Sequence, residues 1–426
     1  MQKVKEGYKM TELGEIPEDW EVKSLGDVLI NGPQNGLYKS KDDLLGDYEC
    51  RVVELSNLYS NYKYINCEKL NNINLTDKEK NLYKLKDNDL LVNRVSKAID
   101  GVARMMIFVG NNIATCFESN MMRITVDLNV ISHEYLFYLS CGNIFRNEVM
   151  KVAKVSNQTS ISQDGLKNIN IAIPFINEQK KISSILSYVD EQMEINGDLI
   201  EKTKELKKGL MQKLLTKGIG HSRFKDTEIG RIPEEWDIKR FKDVSKVSQG
   251  LQIAIENRFK EPGANRLPYI TIQYLNDKTN YDNQYYVENA NKSVICSLDD
   301  ILMTRTGNTG VVITNENGVF HNNFFKVDYD RSILYKDFLV YYLKSELIQS
   351  IIVRYAGTTT IPDLKHGDFY KIPVALPPIA EQKKIAYILL SADEQIDQYE
   401  SKKEKLQELK KGLMQKLLTG NIRVKV

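Results

Sequence analysis

Cysteine and histidine are too scarce and too scattered in this chain to form a site. The five cysteines (Cys50, Cys67, Cys116, Cys141, Cys296) contain no Cys-x-x-Cys pair, and the four histidines (His133, His221, His321, His366) stand far apart. Such spacing supports neither a zinc site nor a disulfide framework, so the expectation is reduced thiols in a cytoplasmic protein. No apolar run approaches the roughly 18 residues that a membrane helix needs. The basic start MQKVKEGYKM is not followed by a hydrophobic stretch, so neither an export signal nor a membrane span is expected. Signatures of chemistry are missing as well. There is no GxxxxGK phosphate loop, no GxGxxG opening a helix, no HExxH, no Gly-x-Ser-x-Gly, and no Asn-Pro-Pro-aromatic loop for a flipped base. The chain is expected to be non-catalytic, with no metal or cofactor of its own. Charge of one sign is also lacking: Lys+Arg number 59 against 57 Asp+Glu, for a net +2. Any nucleic-acid surface must then be a local patch.

What is present is a duplication. ELKKGLMQKLLT at 205–216 recurs letter for letter at 408–419, a displacement of 203. TELGEIPEDWEVKSLGDV at 11–28 realigns with TEIGRIPEEWDIKRFKDV at 227–244, with ten of eighteen positions identical and a displacement of 216. The intervening block is therefore 13 residues shorter in the second half. A module used twice, with shared ends and differing middles, is the unit in which function should be sought.

Each half runs from a turn-rich lead-in through a variable block to a long helix. In the lead-ins, Pro17 and Pro233 with neighbouring glycines oppose helix, and Trp20 and Trp236 are expected to anchor the phrase in a core. The variable blocks hold short β-type runs such as LLVNRV, RMMIFVG and FESNMMRITV, then PYITIQYL, DILMTRT and GVVIT. Single helices are expected at 131–149 and 334–352. After Pro174 and Pro377 come proline-poor stretches rich in Lys, Glu, Leu and Gln with coiled-coil spacing. A seam can be written through Ile182, Ile185, Val189, Asn196, Leu199, Leu206 and Leu210, and through Ile385, Ile388, Ala392, Tyr399, Leu406, Leu409 and Leu413, with Gln192 and Gln395 on one seam position. An apolar stripe needs a partner, and the two rods most simply pair with each other antiparallel, the alternative being two independent rods, each packed on its own domain. The fold class expected is α+β: two mixed α/β domains with two long helices in an antiparallel coiled coil, duplicated about a pseudo-twofold. The boundaries drawn are 1–173, 174–219, 220–376 and 377–426.

The polar content of the blocks suits DNA. Arg94, with Ser96 and Lys97, and Arg305, with Thr306 and Asn308, follow corresponding strands. Arginine reads guanine edges bidentately or clamps phosphate. A structural salt bridge explains one arginine equally well, but recurrence in both halves favours DNA. Loops dense in hydroxyl and amide donors precede the rods, offering Asn157, Gln158 and Thr159 in the first half and Thr358 and Thr359 in the second. Turn-rich stretches add Gln34, Asn35 and Lys39, and Gln252 and Arg258. PDLKHGDFYK (362–371), by contrast, is expected to be a structural lead into a strand.

Two differing domains, each closed by a near-identical helix carrying EQKKI (178–182 and 381–385) and LKKGLMQKLLT, resemble the specificity subunit of a Type I restriction-modification system across essentially the whole chain. The resemblance implies that each target-recognition domain reads one half of an asymmetric bipartite site in double-stranded DNA. It implies that the paired helices set the spacer and dock two modification subunits, which methylate adenine with S-adenosylmethionine. Two restriction subunits using ATP and Mg would join in a full system. Docking positions expected on the helices are Gln179, Lys180 and Gly209, and Gln382, Lys383 and Gly412. Gly209 and Gly412, costly inside a helix by about 1 kcal/mol each, permit close packing or mark a tolerated kink. A free-standing DNA-modifying enzyme without a recognisable motif and a duplicated coiled-coil adaptor for proteins are the competing readings.

Overall fold

A computed structural model describes residues 4–39, 46–59, 63–110, 113–155, 157–357 and 362–425. The chain forms two compact units, one of residues 1–197 with 401–426 and one of residues 198–400. The division cuts both long helices, so each unit holds part of each.

In the first unit a lead-in hairpin (Tyr8–Thr11 with Gly14–Pro17) delivers Trp20 into the core. Glu21–Ser24 then pairs antiparallel with Asn170–Ile173, tying the start of the domain to the strand that feeds the first long helix. A four-stranded sheet follows in the order Leu29–Asn35, Met121–Val126, Leu90–Asn93, Met105–Ile107. A three-stranded sheet of Thr115–Phe117, Tyr48–Val53 and Asn71–Leu75 stands beside it. Val92, Met122, Ile124 and Ile107 lie under the helices in the main core.

The second unit repeats this plan. Its hairpin is Phe224–Thr227 with Gly230–Pro233, and Asp237–Arg240 pairs with Pro373–Leu376. Ser245–Gln249, Phe324–Tyr329, Ile301–Thr304 and Val312–Ile313 form the first sheet. Tyr286–Glu288, Arg266–Ile270, Gly318–Phe320 and Ile295–Cys296 form the other. The helix expected over 131–149 is two helices, His133–Cys141 and Asn143–Val152, broken at extended Gly142. That over 334–352 is likewise split into Lys336–Lys344 and Glu346–Ala356 at Ser345, whose hydroxyl accepts from Ile348 N and caps the second piece.

The long helices run Ile176–Lys217 and Ile379–Leu417, and a left-handed glycine follows each, Gly218 (φ 64°) and Gly420 (φ 71°). In the first unit Ile182 and Leu186 share a core with Leu413, Met414, Leu417 and Leu418, and Asp190 Oδ1 lies 2.6 Å from Lys410 Nζ. Numbers rise on one helix as they fall on the other, so the segments are antiparallel. In the second unit Leu214 and Leu215 pack with Ile385, Ala386 and Leu389, Lys207 pairs with Asp393, and Lys204 Nζ lies 2.8 Å from Glu400 Oε1. Each interface is keyed by the same three residue types. Tyr138 Oη donates to Asp190 at 2.7 Å beside Lys410, and Tyr341 Oη donates to Asp393 at 2.5 Å beside Lys207.

The seam corrects the one written from sequence. Burial follows Ile182, Leu186, Val189, Asn196, Ile200, Thr203 and Leu214, while Leu206 and Leu409 are exposed. Placing Ile185 and Leu199 on the stripe set it one residue early on alternate turns, because heptad steps alternate between about three and four residues. Gln395 is exposed for the same reason, since its neighbour Ile396 takes the buried place.

Candidate nucleic-acid interface

One end of each first sheet is shaped by a glycine crossing. In the first unit Leu29–Asn35 stops at Gly36, whose N–H donates to Met121 O at 3.0 Å, and Leu37 N donates to Phe117 O at 2.8 Å. A Cβ on Gly36 would sit 2.2 Å from Glu118 O, so only glycine lets the chains pass. The crossing presses the turn Glu118–Asn120 against the strand end. Arg94 N donates to Asn120 O at 2.9 Å, its Nη1 donates to Ser119 O at 3.3 Å, and Ile161 N donates to Arg94 O at 3.0 Å. Thr159–Ser160 pairs antiparallel with Val95–Ser96. The structure thus gathers the sequence candidates Asn35, Arg94 and Lys97 with the 157–159 loop at one end of the domain.

Not all of them face outward. Lys97, Asn157 and Gln158 are exposed, and Arg94 is half-buried. Ser96 and Thr159 are buried, and Ser96 Oγ accepts from Ala98 N, so these two close the loop instead of offering hydroxyls to a ligand. Lys39 also departs from expectation. Its side chain is 3% exposed, and Nζ donates to Asn74 O at 2.9 Å and Glu79 Oε2 at 3.2 Å, which consumes the charge within the domain. Gln34 is tied to Arg123 and donates to Leu82 O at 3.1 Å. Tyr38, 92% exposed just past the crossing, was missed.

The second unit has the same crossing with other side chains. Gly250 N donates to Phe324 O at 3.1 Å, Leu251 N donates to Phe320 O at 3.0 Å, and a Cβ on Gly250 would lie 2.3 Å from His321 O. Asn322 Nδ2 donates to Gln252 Oε1 at 3.3 Å, and Arg305 N donates to Asn323 O at 2.8 Å. Thr306 Oγ1 donates to Asn323 Oδ1 at 3.4 Å, and Asn308 is exposed beside them. Burial first, then the charge of Arg258, lowers the pKa of His321, and its Nδ1 accepts from Asn323 N at 3.1 Å as a neutral ring would. Arg258 itself donates from Nε and Nη2 to Ile253 O and lies 5.0 Å over Tyr269 and 5.4 Å over Tyr285. Those donors brace its own loop. Thr358 and Thr359 lie outside the described residues.

Sequence reasoning also missed Ser119, Asn120, Asn322 and Asn323. The signal was present: Phe-Glu-Ser-Asn-Met-Met at 117–122 and Phe-His-Asn-Asn-Phe-Phe at 320–325 stand 203 apart, and each sets a polar turn between buried apolar residues, Phe117 and Met121 in one and Phe320 and Phe324 in the other.

On the long helices, Gln179 and Gln382 are fully buried. Gln179 accepts from Ser132 N and donates to Val130 O and Pro174 O, and Gln382 accepts from Tyr335 N and donates to Ile333 O and Pro377 O. Both amides are spent anchoring a helix to its own domain, so neither is available for docking. Lys180 and Lys383 are exposed. A Cβ on Gly209 or Gly412 would meet nothing within 4 Å, so close packing inside the chain does not require either glycine.

Comparison with known proteins supplies the context for this geometry. A family model described as Type I restriction modification DNA specificity domain matches residues 17–205 and again 233–411. The type I restriction enzyme MjaX specificity subunit of Methanocaldococcus jannaschii is 31% identical over 99% of this chain and 97% of its own. The MjaVIII specificity subunit of the same organism is 28% identical over 96% of this chain and 94% of its own. The fold is similar to that of the crystallised S subunit of a Type I restriction-modification system from M. genitalium, with a TM-score of 0.54 and 18% identity over 93% of this chain and 96% of that one.

Proposed function

Because this chain belongs to the Type I restriction modification DNA specificity family, we propose that its two units read the two halves of one asymmetric, bipartite site in double-stranded DNA. DNA sequence specificity is the family's role, and the two matched domains divide the chain between them. One observation carries the division of labour. Both units build the same frame, with a glycine crossing and a Phe-x-x-Asn turn, and then fill it differently, with Glu118 and Ser119 in one and His321 and Asn322 in the other. A constant frame with a changed polar lining is what two different DNA words require.

The long helices are proposed to set the spacer and to receive modification subunits, which bring S-adenosylmethionine and the methyl transfer; this chain supplies no catalysis. Support comes from positions that internal packing does not dictate. Lys208, Gln212 and Lys213 are exposed on one helix, Lys411, Gln415 and Lys416 on the other, and the two sets are identical. Identity at exposed positions fits one partner surface met twice. Exchanging residues 236–376 for another family member's block, followed by methylome sequencing, tests the reading. One half of the methylated motif should change, and a change in both halves or in neither would overturn it.

A further inference from the structure

We infer that Asp363 aims Arg305 at a guanine in the second half-site, which makes Asp363 a positioning residue for base recognition. The inference rests on the reading of the second unit as a DNA-recognition domain. Arg305 Nε donates to Asp363 Oδ1 and Nη2 to Asp363 Oδ2, both at 3.0 Å, so the carboxylate grips one side of the guanidinium. A guanidinium gripped on that side keeps its end-on edge, with Nη1 and the second proton of Nη2, for another bidentate acceptor. Among the described residues Nη1 has no partner. Guanine O6 and N7 are the acceptor pair that such an edge fits.

The main chain from which the side chain springs is held as well. Arg305 N donates to Asn323 O at 2.8 Å, Leu364 N donates to Arg305 O at 2.8 Å, and Thr306 forms a bridge with Asp363. A side chain held before binding loses less freedom on binding. Charge then selects the base over the backbone. A phosphate that met Arg305 would also meet the Asp363 carboxylate beside it and be repelled, whereas a base edge carries no net charge. With side chains 19% and 34% exposed, the pair lies at the surface of the domain and within reach of a groove.

The first unit lacks this device. Ile161 N donates to Arg94 O just as Leu364 N donates to Arg305 O, so the two arginines correspond. Ser160 stands where Asp363 does, 203 positions earlier, and Arg94 Nη1 turns to Ser119 O. Two arginines that look equivalent in sequence are thus given different tasks.

The test uses the full chain assembled with its modification subunits, read by methylome sequencing and by binding to the methylated duplex over a salt series. Arg305→Lys keeps the charge and the stem, and it should relax one guanine position of the second half-site and weaken cognate binding on the order of 10-fold or more. Asp363→Asn should relax the same position, and Asp363→Glu should restore part of the preference. The slope of log affinity against log salt should stay as in the parent, since no phosphate contact is lost. Variants that lower the melting temperature and leave the motif intact would overturn the inference, as would a salt slope reduced by about one in Arg305→Ala. If exchange of 236–376 changes a half-site while Arg305→Lys and Asp363→Asn change none, the inference alone fails. If the exchange changes nothing, the recognition reading fails with it.

Discussion

Glu178 and Arg423, 245 positions apart, are joined by two hydrogen bonds, Nε to Oε1 at 2.7 Å and Nη2 to Oε2 at 2.8 Å. Trp20 Nε1 donates to the same carboxylate at 3.3 Å, and Arg423 reaches on to both oxygens of Asp19 at 2.8 Å. The second unit answers with Glu381, which accepts from Trp236 Nε1 at 3.0 Å and lies 2.8 Å from His221 Nε2, while His221 Nδ1 is 3.5 Å from Glu235. The residues after the second long helix thus do for the first unit what those after the first long helix do for the second.

Arg423→Ala should leave Glu178, with a side chain 3% exposed, bonded among the described residues to the indole alone. A carboxylate stripped of its main partner costs about 2–3 kcal/mol, to be read as a lower melting temperature. The effect should depend on pH. The Arg423 fork holds the carboxyl of Asp19 below its ordinary 3.8, so that part of the stabilisation is complete above 3.8 and is lost as pH falls through the depressed value. The stability gap between parent and variant in urea titrations should narrow below that pH, and a gap that widened there would contradict the assignment.

Gly209→Ala and Gly412→Ala should each stabilise the folded chain by about 1 kcal/mol, since helical geometry is kept and the new methyl meets no atom within 4 Å. If the glycines serve a partner's close approach, the same variants should bind modification subunits more weakly. Thermal unfolding and co-purification measure the two effects separately, and unchanged binding would leave the glycines without a docking role.

Much of the frame was legible because it is written twice. The repeated turn-rich lead-ins gave the buried tryptophans but not the hairpins that carry them, and the recurrence of an arginine after matching strands pointed to the loop clusters. Residue type misled where burial overrides polarity. Gln179 and Lys39 look like surface residues, and each is buried because the structure supplies a partner for every donor it places there. Asp363 sits in a phrase read as a lead into a strand, and its partner arginine comes from 58 positions away, a separation that no local pattern encodes.

The duplication also predicts what half of the chain would do. In the first unit residues 401–418 complete the core, and ELKKGLMQKLLT at 205–216 is an identical copy of most of that segment. A fragment of residues 1–226 should pair with a second copy, with Lys207 taking the place of Lys410 against Asp190 and His221 that of Arg423 against Glu178. Two like fragments make a true twofold, so the methylated motif in cells that also express the modification subunit should be an inverted repeat of the first half-word. A fragment that folds and binds that subunit yet marks the asymmetric parent site would refute the pairing.

The division of the long helices between the units also sets an order of manufacture. Residues 198–400 are contiguous, so everything the second unit needs has left the ribosome once Glu400 emerges. The first unit is completed only later, since Leu413, Leu417, Leu418 and Arg423 all follow Glu400 in the chain. Until then the nascent chain carries an open apolar slot beside Ile182 and Leu186. That slot fits any neighbouring copy of ELKKGLMQKLLT, including one on the next ribosome along the same message.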